Sequence, residues 1–237
     1  TSNFIQKFQD GIRSKGGLVE KIFKNGVTAG IKRNGDGFRK PGALVQAGTF
    51  LPYLLAEKLI FKKLRQVFGP KIEFFVGGGA LLDIKQQQFY KAIGIPVYQG
   101  YGLTEATPII STNTPFDHKM GTSGRVLEGI YCRICDDAGK ELPRGQKGEI
   151  VIQGDNVMLG YYKNPEATAE TLKDGWLHTG DLGYFDEDGF LVVVGREKAL
   201  RISEDGEKYS PEEIEEAMVT SSDLILQAMI YNDHKKY

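Results

Sequence analysis

The spacing of apolar and polar positions divides the chain into a helical first part and a strand-rich second part. Apolar residues recur at helical spacing from the start, at Phe4, Ile5, Phe8 and Ile12. The same spacing runs through residues 51–68, where Pro52 lies near the first turn and Gly69 follows the last one. The pattern therefore predicts a helix at 51–68 and another near the first residues.

The middle of the chain predicts a β-α-β unit. Residues 71–76 form a short apolar run bounded by glycines, residues 83–93 read as a helix ended by Gly94, and residues 96–99 as the next strand. Such a crossover makes the two strands parallel, and ligands of open parallel sheets bind beyond the carboxyl ends of the strands. Residues 77–79 and 100–105 follow those ends, so we expect them to converge on one pocket.

After about residue 116 the apolar period changes to two. Residues 129–135, 149–153 and 190–194 read as strands, separated by turn sequences such as 137–139 and 186–189. Ser210, Pro211 and Glu213 then form a capping box, which predicts the start of a helix. The overall class is α/β with a β-rich second part.

Composition excludes some classes of function. The chain has 237 residues, of which 41% are apolar, and 30 basic against 31 acidic side chains leave a net charge of −1. No general field draws such a protein to nucleic acid, so we expect no nucleic acid partner. No unbroken apolar run approaches the ~18 residues that span a bilayer, and no leader precedes the fold, which favours a cytoplasmic location or at most a peripheral membrane contact.

Both ends look cut, since the chain starts at Thr1 in a helical pattern and stops after an apolar run.

The most informative string is QGYGLTEATP, residues 99–108. Tyr101 offers an aromatic face for a purine, and the flanking Gly100 and Gly102 allow close approach of the backbone to a ligand. Thr104 offers a hydroxyl for phosphate oxygens. Glu105 offers the hard carboxylate oxygen that Mg²⁺ shares with phosphates. Together these residues predict a nucleotide site.

The string resembles the YGxTE motif of the AMP-forming adenylating enzymes, the superfamily of acyl-CoA synthetases, luciferases and peptide-synthetase adenylation domains. Two further stretches resemble the same family in the same order: the TGD segment with the strand pair that leads to a GR hinge, at 175–196, and the opening of the mobile C-terminal domain, at 198–218. The similarity runs from about residue 71 to the end. EKYSPEEIEEA, within the last stretch, is most similar to the long-chain fatty acid CoA ligases.

The resemblance implies a division into an α/β part of the large domain at 1–115, a β-rich, barrel-like subdomain at 116–197, and the hinge with the start of a small α+β C-terminal domain at 198–237. It implies fatty acid, ATP and coenzyme A as substrates, with Mg²⁺ as cofactor. It also assigns roles to residues. The adenine pocket would be formed by Gly77, Gly78, Gly79, Gly100, Tyr101 and Gly102. Ribose would be bound by Asp181 and Arg196, phosphates and Mg²⁺ by Thr104 and Glu105, and Lys198 would be a catalytic hinge.

Each candidate also has a purely structural interpretation. The glycine triplet can be a tight turn, Tyr101 a packed aromatic and Glu105 an acid favoured by a helix start. Asp181 can be a turn aspartate and Arg196 one end of a surface ion pair. The loop at 206–208, which resembles the family loop that enters the site for thioester formation, can be a solvated turn. We interpret Cys132 and Cys135 as reduced thiols rather than zinc ligands, and His178 as a hydrogen-bonded side chain rather than a base.

Two family elements are missing from the sequence. Nothing in residues 1–76 matches the phosphate loop that should precede the glycine triplet, and the family's terminal catalytic lysine should lie beyond Tyr237. We therefore expect the 237-residue chain alone not to form acyl-CoA. An adenylating enzyme for an aryl, medium-chain or amino acid substrate, and a non-catalytic nucleotide-binding protein on the same fold, remain alternatives.

Overall fold

A computed structural model describes residues 2–79, 82–196, 201–202, 208–209, 211–222, 224–225 and 227–230. The helices are α1 (Ser2–Arg13), α2 (Gly17–Asn34), α3 (Ala43–Ala56), α4 (Lys62–Phe68), α5 (Ile84–Ala92), α6 (Pro165–Thr171) and α7 (Pro211–Ser221). The strands are β1 (Phe75–Gly77), β2 (Val97–Gly102), β3 (Ile109–Thr112), β4 (Arg125–Val126), β5 (Ile130–Cys135), β6 (Gly148–Gly154), β7 (Leu172–Lys173), β8 (Trp176–Phe185), β9 (Leu191–Arg196), β10 (Arg201–Ile202) and β11 (Lys208–Tyr209). The chain forms two compact units, one of residues 1–102 and 111–125 and the other of 103–110 and 126–237.

The first unit is built around an aromatic core between its helices. Phe23 of α2 lies at its centre, with its ring centroid 6.2 Å from that of Phe61 and 6.3 Å from that of Phe89. Both pairs meet edge to face, the arrangement that aromatic quadrupoles favour. Full burial of side chains of this size contributes about 1.5–3 kcal/mol each to stability. The helical apolar spacing of the sequence is therefore explained by burial in one core.

Two glycines let α2 approach its neighbours closely. An added Cβ at Gly26 would lie 2.1 Å from the Cβ of Ala56, and one at Gly30 would lie 2.8 Å from the Cβ of Ala92. Neither contact is possible for a larger residue without moving a helix. The small residues at 26 and 30 thus set the spacing of α2 against α3 and α5.

The predicted helix at 51–68 is longer than the sequence indicated, since helical structure runs from Ala43 to Phe68 with a π-helical stretch at Glu57–Phe61. Pro52 lies inside α3 rather than in its first turn. Proline removes one hydrogen bond to the residue four positions before it, which here is the exposed Gly48, whose carbonyl can bond to water instead. The cost of proline is therefore small enough for the helix to continue through it.

The same helix, Ala43–Phe68, is long and apolar enough to cross a membrane by length and composition alone. Only 17% of an apolar 18-residue stretch of this helix is buried within the structure. Core helices of other proteins can have the same length and composition. The sequence still has no unbroken apolar run of spanning length there, because Glu57 and Lys58 interrupt it. The helix passes on its mean hydropathy and not on an unbroken run.

The β-α-β prediction is confirmed. β1 pairs with β2 in parallel, with Gly77 opposite Gln99. Helix α5 connects them, and its N-cap residue Asp83 accepts a hydrogen bond from the backbone N–H of Lys85. β1 is shorter than the predicted strand at 71–76, because pairing begins only at Phe75. The four strands of this sheet follow the order β1-β2-β3-β4.

The second unit contains a mainly antiparallel sheet in the order β5-β6-β8-β7, with β9 paired to β8. Ile150, Val151 and Ile152 are buried in succession on β6, so this central strand is covered on both faces. The three strands predicted by period two are confirmed as β5, β6 and β9. Among the described residues the sheet is open and does not close into a barrel, which corrects the expected barrel-like shape within a confirmed α/β class.

Candidate nucleotide-binding site

The two glycine-rich segments of the first unit lie side by side. Gly77 ends β1 opposite Gln99 of the parallel strand β2, and a Cβ added at Gly78 would lie 4.0 Å from the carbonyl oxygen of Gly100. Gly79 follows with a φ of +82°, a conformation that favours glycine, and its side-chain direction is open. The triplet therefore ends β1, bends at Gly79 and forms a backbone surface beside the end of β2.

Gly100 has a structural reason that the sequence did not reveal. An added Cβ there would lie 2.9 Å from the backbone oxygen of Ser111 and 3.2 Å from the hydroxyl of Thr112, both on the neighbouring β3. Strand packing thus already requires glycine, whereas the sequence suggested ligand approach. Tyr101 is half-buried and Gly102, the last residue of β2, is exposed.

A buried group of amide side chains lies behind these segments, and sequence reasoning missed it. The Oε1 atom of Gln99 accepts from the backbone N–H of Leu82 at 2.9 Å and from the side chain of Gln87 at 3.3 Å. Gln87 in turn donates to the carbonyl of Leu82 at 2.7 Å and accepts from Gly121 at 3.1 Å. Gln87 and Gln99 are each only 3% exposed. Because buried amides must be paired, this group ties the segment after the glycine triplet to β2.

Asn113 extends the amide group to the next loop. Its side-chain nitrogen donates to the backbone oxygens of Gln99 and Thr122 at 2.9 and 2.8 Å, and its oxygen accepts from Lys119 at 2.9 Å. Gln99 stands at the first position of the QGYGLTEATP string, so the string begins at a fixed point. The sequence shows Gln99 as an amide at the start of the motif, but the pattern of apolar and polar positions does not indicate its hydrogen-bond partners.

Thr104 and Glu105 belong to the second unit and lie in a short 3₁₀ turn, Thr104–Ala106. A loop around Asn156 holds this turn by backbone atoms. The N–H of Met158 donates to the Glu105 carbonyl at 2.8 Å, and the Asn156 side chain donates to the Ala106 carbonyl at 2.8 Å. The Thr107 hydroxyl donates back to the Asn156 carbonyl at 2.9 Å. The turn is thus fixed without any contribution from the Glu105 side chain.

The carboxylate of Glu105 accepts a hydrogen bond from the hydroxyl of Tyr161, with Oη 2.8 Å from Oε1. This hydrogen bond, with some burial, raises the pKa of the Tyr161 hydroxyl above its usual value, and a side-chain hydrogen bond with Thr171 acts in the opposite direction. The Thr104 side chain is exposed. The Glu105 carboxylate and the Thr104 hydroxyl are oxygen groups of the kind that suit Mg²⁺ when phosphates supply further oxygens. Within the described residues no group of three or more His, Cys, Asp or Glu forms a separate metal site.

Asp181 and Arg196 face each other across the β8–β9 pair. Their backbones are in register, and the Arg196 Nε atom lies 3.4 Å from the Asp181 Oδ1 atom. The Arg196 side chain is 75% exposed, whereas that of Asp181 is 10% exposed. The structure therefore brings together the two residues predicted to contact ribose. It also shows the ion pair of the alternative interpretation, which contributes little to stability when one partner is so exposed.

His178 forms a hydrogen bond, as expected, and its partner identifies Glu149 as a residue that the sequence did not single out. The His178 Nδ1 atom lies 2.7 Å from Glu149 Oε2, and Glu149 Oε1 accepts from the backbone N–H of Gly180 at 3.0 Å. The Thr179 hydroxyl donates to the Ile150 carbonyl at 2.7 Å and accepts from the Asp181 N–H at 3.1 Å. These bonds fix the backbone that carries Asp181.

The remaining sequence candidates are less informative. Cys132 and Cys135 are free thiols on β5, and burial raises the pKa of Cys132 to about 12, so that thiol stays protonated. Lys198, the predicted hinge, lies outside the described residues, as do Gly206 and Glu207 of the predicted loop and the N-cap Ser210. Helix α7 begins at Pro211.

Beside this geometry, the sequence model of the family described as AMP-binding enzyme matches residues 39–162, more than half of the chain. The range includes the glycine triplet, the QGYGLTEATP string and Tyr161. A nucleotide-binding enzyme is thus the class that the fold and the site define. The chain belongs to the AMP-binding enzyme family, and so to the adenylating superfamily whose motifs it resembles.

Three relatives illustrate the range of that family. The chain is 35% identical over 197 residues to the long-chain-fatty-acid–CoA ligase FadD15 of Mycobacterium bovis, an alignment that covers 83% of the chain and 30% of the relative. It is 49% identical over 138 residues to the 2-succinylbenzoate–CoA ligase of Bacillus cytotoxicus, covering 57% and 28%. The solved o-succinylbenzoate CoA synthetase of Bacillus subtilis in complex with ATP and magnesium is 34% identical, with a TM-score of 0.58 over 62% of the chain and 31% of that protein. The chain therefore spans about 30% of the length of FadD15.

Proposed function

We propose that this chain is part of an acid–CoA ligase that activates a long-chain fatty acid with ATP. The observation that carries the proposal is the match to a long-chain-fatty-acid–CoA ligase at 35% identity over 83% of the chain. The higher identity to a 2-succinylbenzoate–CoA ligase extends over a shorter part, 57% of the chain. An aryl acid is therefore the second candidate substrate.

The reaction has two steps. A carboxylate oxygen of the acid attacks the α-phosphorus of ATP, the bond to the bridging oxygen breaks, and pyrophosphate leaves with the electron pair. The thiolate of coenzyme A then attacks the acyl carbon, and AMP leaves as the thioester forms. Both steps depend on holding anionic groups in place and stabilising developing charge.

The glycine-rich segments and Tyr101 would contribute groups for adenine. The ring of Tyr101 would stack on the base, and the backbone at Gly77, Gly78, Gly79, Gly100 and Gly102 would line its edge. Gly79 supports this role because, in the part of the chain that the structure describes, no atom beyond its chain neighbours lies within 4 Å of a Cβ added there. At Gly100 the lack of a side chain is already required by β3 and does not by itself support contact with the base.

Charged and hydroxyl side chains would contribute the contacts to ribose, phosphate and Mg²⁺. The Asp181 carboxylate would accept from both ribose hydroxyls, and the exposed guanidinium of Arg196 would swing from Asp181 to ribose or phosphate. The Thr104 hydroxyl would donate to a phosphate oxygen, and Glu105 would bind Mg²⁺, which neutralises phosphate charge when bound. Lys198 would be the pivot for the change from the first step to the second.

The test is acid-dependent exchange of labelled pyrophosphate into ATP by the full-length protein. Palmitate, a medium-chain fatty acid, benzoate, 2-succinylbenzoate and an amino acid are compared at equal concentration. We expect exchange with palmitate, followed by palmitoyl-CoA and AMP when coenzyme A is added. Exchange with an aryl acid alone would make the second candidate correct. Nucleotide binding without exchange for any acid would point to a non-catalytic nucleotide-binding protein.

A further inference from the structure

Tyr161 is the residue that orients the Glu105 side chain. The Tyr161 hydroxyl donates to one carboxylate oxygen of Glu105 over 2.8 Å, although the two residues are 56 positions apart in the chain. The backbone of the Glu105 turn is held separately, by Met158 and Asn156. Loss of the Tyr161 hydroxyl would therefore free the carboxylate without loosening the turn.

Tyr161 is itself placed by the start of α6. Its backbone N–H donates to the Thr168 hydroxyl at 2.9 Å, and that hydroxyl donates to the Asn164 carbonyl at 2.9 Å. The side chain of Asn164, the N-cap residue of α6, accepts from the backbone N–H of Ala167 at 3.1 Å. Gly160 has a φ of +148°, and a Cβ there would lie 2.8 Å from the Thr168 side chain. The turn before Tyr161 thus fits tightly against α6.

The arrangement leaves Glu105 able to bind a cation. A carboxylate has about four lone-pair positions on two oxygens, and a single hydroxyl occupies one of them. A neutral hydroxyl, unlike a lysine or arginine, adds no positive charge that would repel a metal ion. It also restricts rotation of the carboxylate, which lowers the entropy lost when the second oxygen is bound to a ligand.

We propose that Tyr161 is a positioning residue, which holds the Glu105 carboxylate so that its second oxygen meets a nucleotide-bound Mg²⁺. This rests on the proposed function, in which Glu105 binds Mg²⁺. Tyr161 does not touch the reacting atoms. Its effect is on the concentration of Mg²⁺ at which the nucleotide binds productively.

The experiment measures ATP binding to the full-length protein by calorimetry over a series of Mg²⁺ concentrations. The variants are Tyr161→Phe, which removes only the hydroxyl, Glu105→Gln, and the double variant. Tyr162→Phe is the matched control, because the neighbouring tyrosine is 88% exposed. We expect the half-saturating Mg²⁺ concentration to rise about three- to tenfold in Tyr161→Phe, the range for a partly exposed hydrogen bond to a charged group.

The control should match the wild type, and the double variant should be no worse than Glu105→Gln alone, since both changes act through one carboxylate. Equal Mg²⁺ dependence of Tyr161→Phe and Tyr162→Phe would overturn the proposal. So would a fall in ATP affinity by the same factor at every Mg²⁺ concentration, which indicates a structural role. An unchanged Mg²⁺ dependence in Glu105→Gln would overturn it as well.

The binding measurement needs no turnover, so it separates this proposal from the proposed function. A wild type without acid-dependent exchange, but with a Mg²⁺ dependence that shifts in Tyr161→Phe, would refute ligase activity and support the role of Tyr161. Acid-dependent exchange by the wild type, together with a Mg²⁺ dependence that Tyr161→Phe leaves unchanged, would support ligase activity and refute the role of Tyr161.

Discussion

The motif residues of the first unit are fixed by backbone packing and buried amides, whereas those of the second unit are held by hydrogen bonds to partly exposed side chains. Gly100 meets the backbone of β3, and Gln99 is almost fully buried. Glu105 is half-buried against a tyrosine hydroxyl, and Arg196 is largely exposed. The fold therefore needs Gly100 and Gln99 for its own stability. The exposed side chain of Arg196 contributes little to that stability, which is compatible with the ligand contact proposed for it.

The largest effect should come from Gly100→Ala. The added methyl would stand 2.9 Å from a backbone oxygen of β3, so a strand must shift, and overpacking of this kind costs about 1–3 kcal/mol. We expect the free energy of unfolding, measured by urea denaturation, to fall toward the upper end of that range. Gly48→Ala is the control, since its helical position is open and alanine there should stabilise by about 0.5–1 kcal/mol. Equal stability of the two variants would remove the packing explanation for Gly100.

The second effect tests the other side of the comparison. Asp181→Asn keeps the shape of the side chain, and the ion pair that it removes is weak because Arg196 is exposed. ATP affinity of the full-length protein should fall about 10- to 100-fold, the equivalent of about 1.5–3 kcal/mol for a charged acceptor. Calorimetry with ATP and its 2′,3′-dideoxy analogue measures this, with the exposed Asp155→Asn as control. If wild type and Asp181→Asn discriminate equally between the two nucleotides, Asp181 does not bind ribose.

A third, smaller effect concerns the buried amides. Gln99→Met keeps the side-chain length but leaves the Leu82 N–H and the Gln87 amide without this acceptor. The expected loss is about 1–2 kcal/mol of unfolding free energy, the usual cost of an unpaired buried donor. Gln146→Met, at an exposed position, should be neutral. A neutral Gln99→Met would mean that the amides do not stabilise the first unit.

The smallest effect should be a pH dependence from His118. Burial, and then the charge of Lys91, lower the pKa of His118 below its usual value, while Asp117 and Asp36 act against them. The unfolded chain binds the proton more readily than the folded chain. The contribution of His118 to the free energy of unfolding is therefore fully present above about pH 6.5, and it declines as the pH falls toward the lowered pKa of the folded state. Denaturation of His118→Gln between pH 7.5 and about 5 should show a flatter profile than wild type. A steeper profile in the variant would contradict the sign.

The sequence predicted the parts of the fold that depend on local patterns. The β-α-β unit and three strands of the second unit follow from apolar period and glycine punctuation, and the resemblance indicated a strand pair at 175–196 that contains Asp181 and Arg196. Helix α3 was placed too short, since the exposed carbonyl of Gly48 makes Pro52 tolerable within a helix. Such exposure is a property of the folded state, and no local pattern encodes it.

The contacts of the candidate site were harder to predict because they join distant positions. Tyr161 lies 56 residues from Glu105, and Glu149 lies 29 from His178. Each pair depends on the registration of separate loops or strands. The residue types alone gave no sign of pairing, as a tyrosine next to another tyrosine and a glutamate at a strand start are common.

The π-helical stretch Glu57–Phe61 has a consequence for how the chain tolerates changes in length. Its hydrogen bonds span five residues instead of four, so the stretch accommodates an additional residue without shifting the helices on either side. Deletion of a single exposed residue there, such as Leu59, would convert the stretch to ordinary helix and leave α3 and α4 with the same faces toward the core. A homologue shorter by one residue at this place would therefore keep the same core, and an alignment gap there need not mean a different fold.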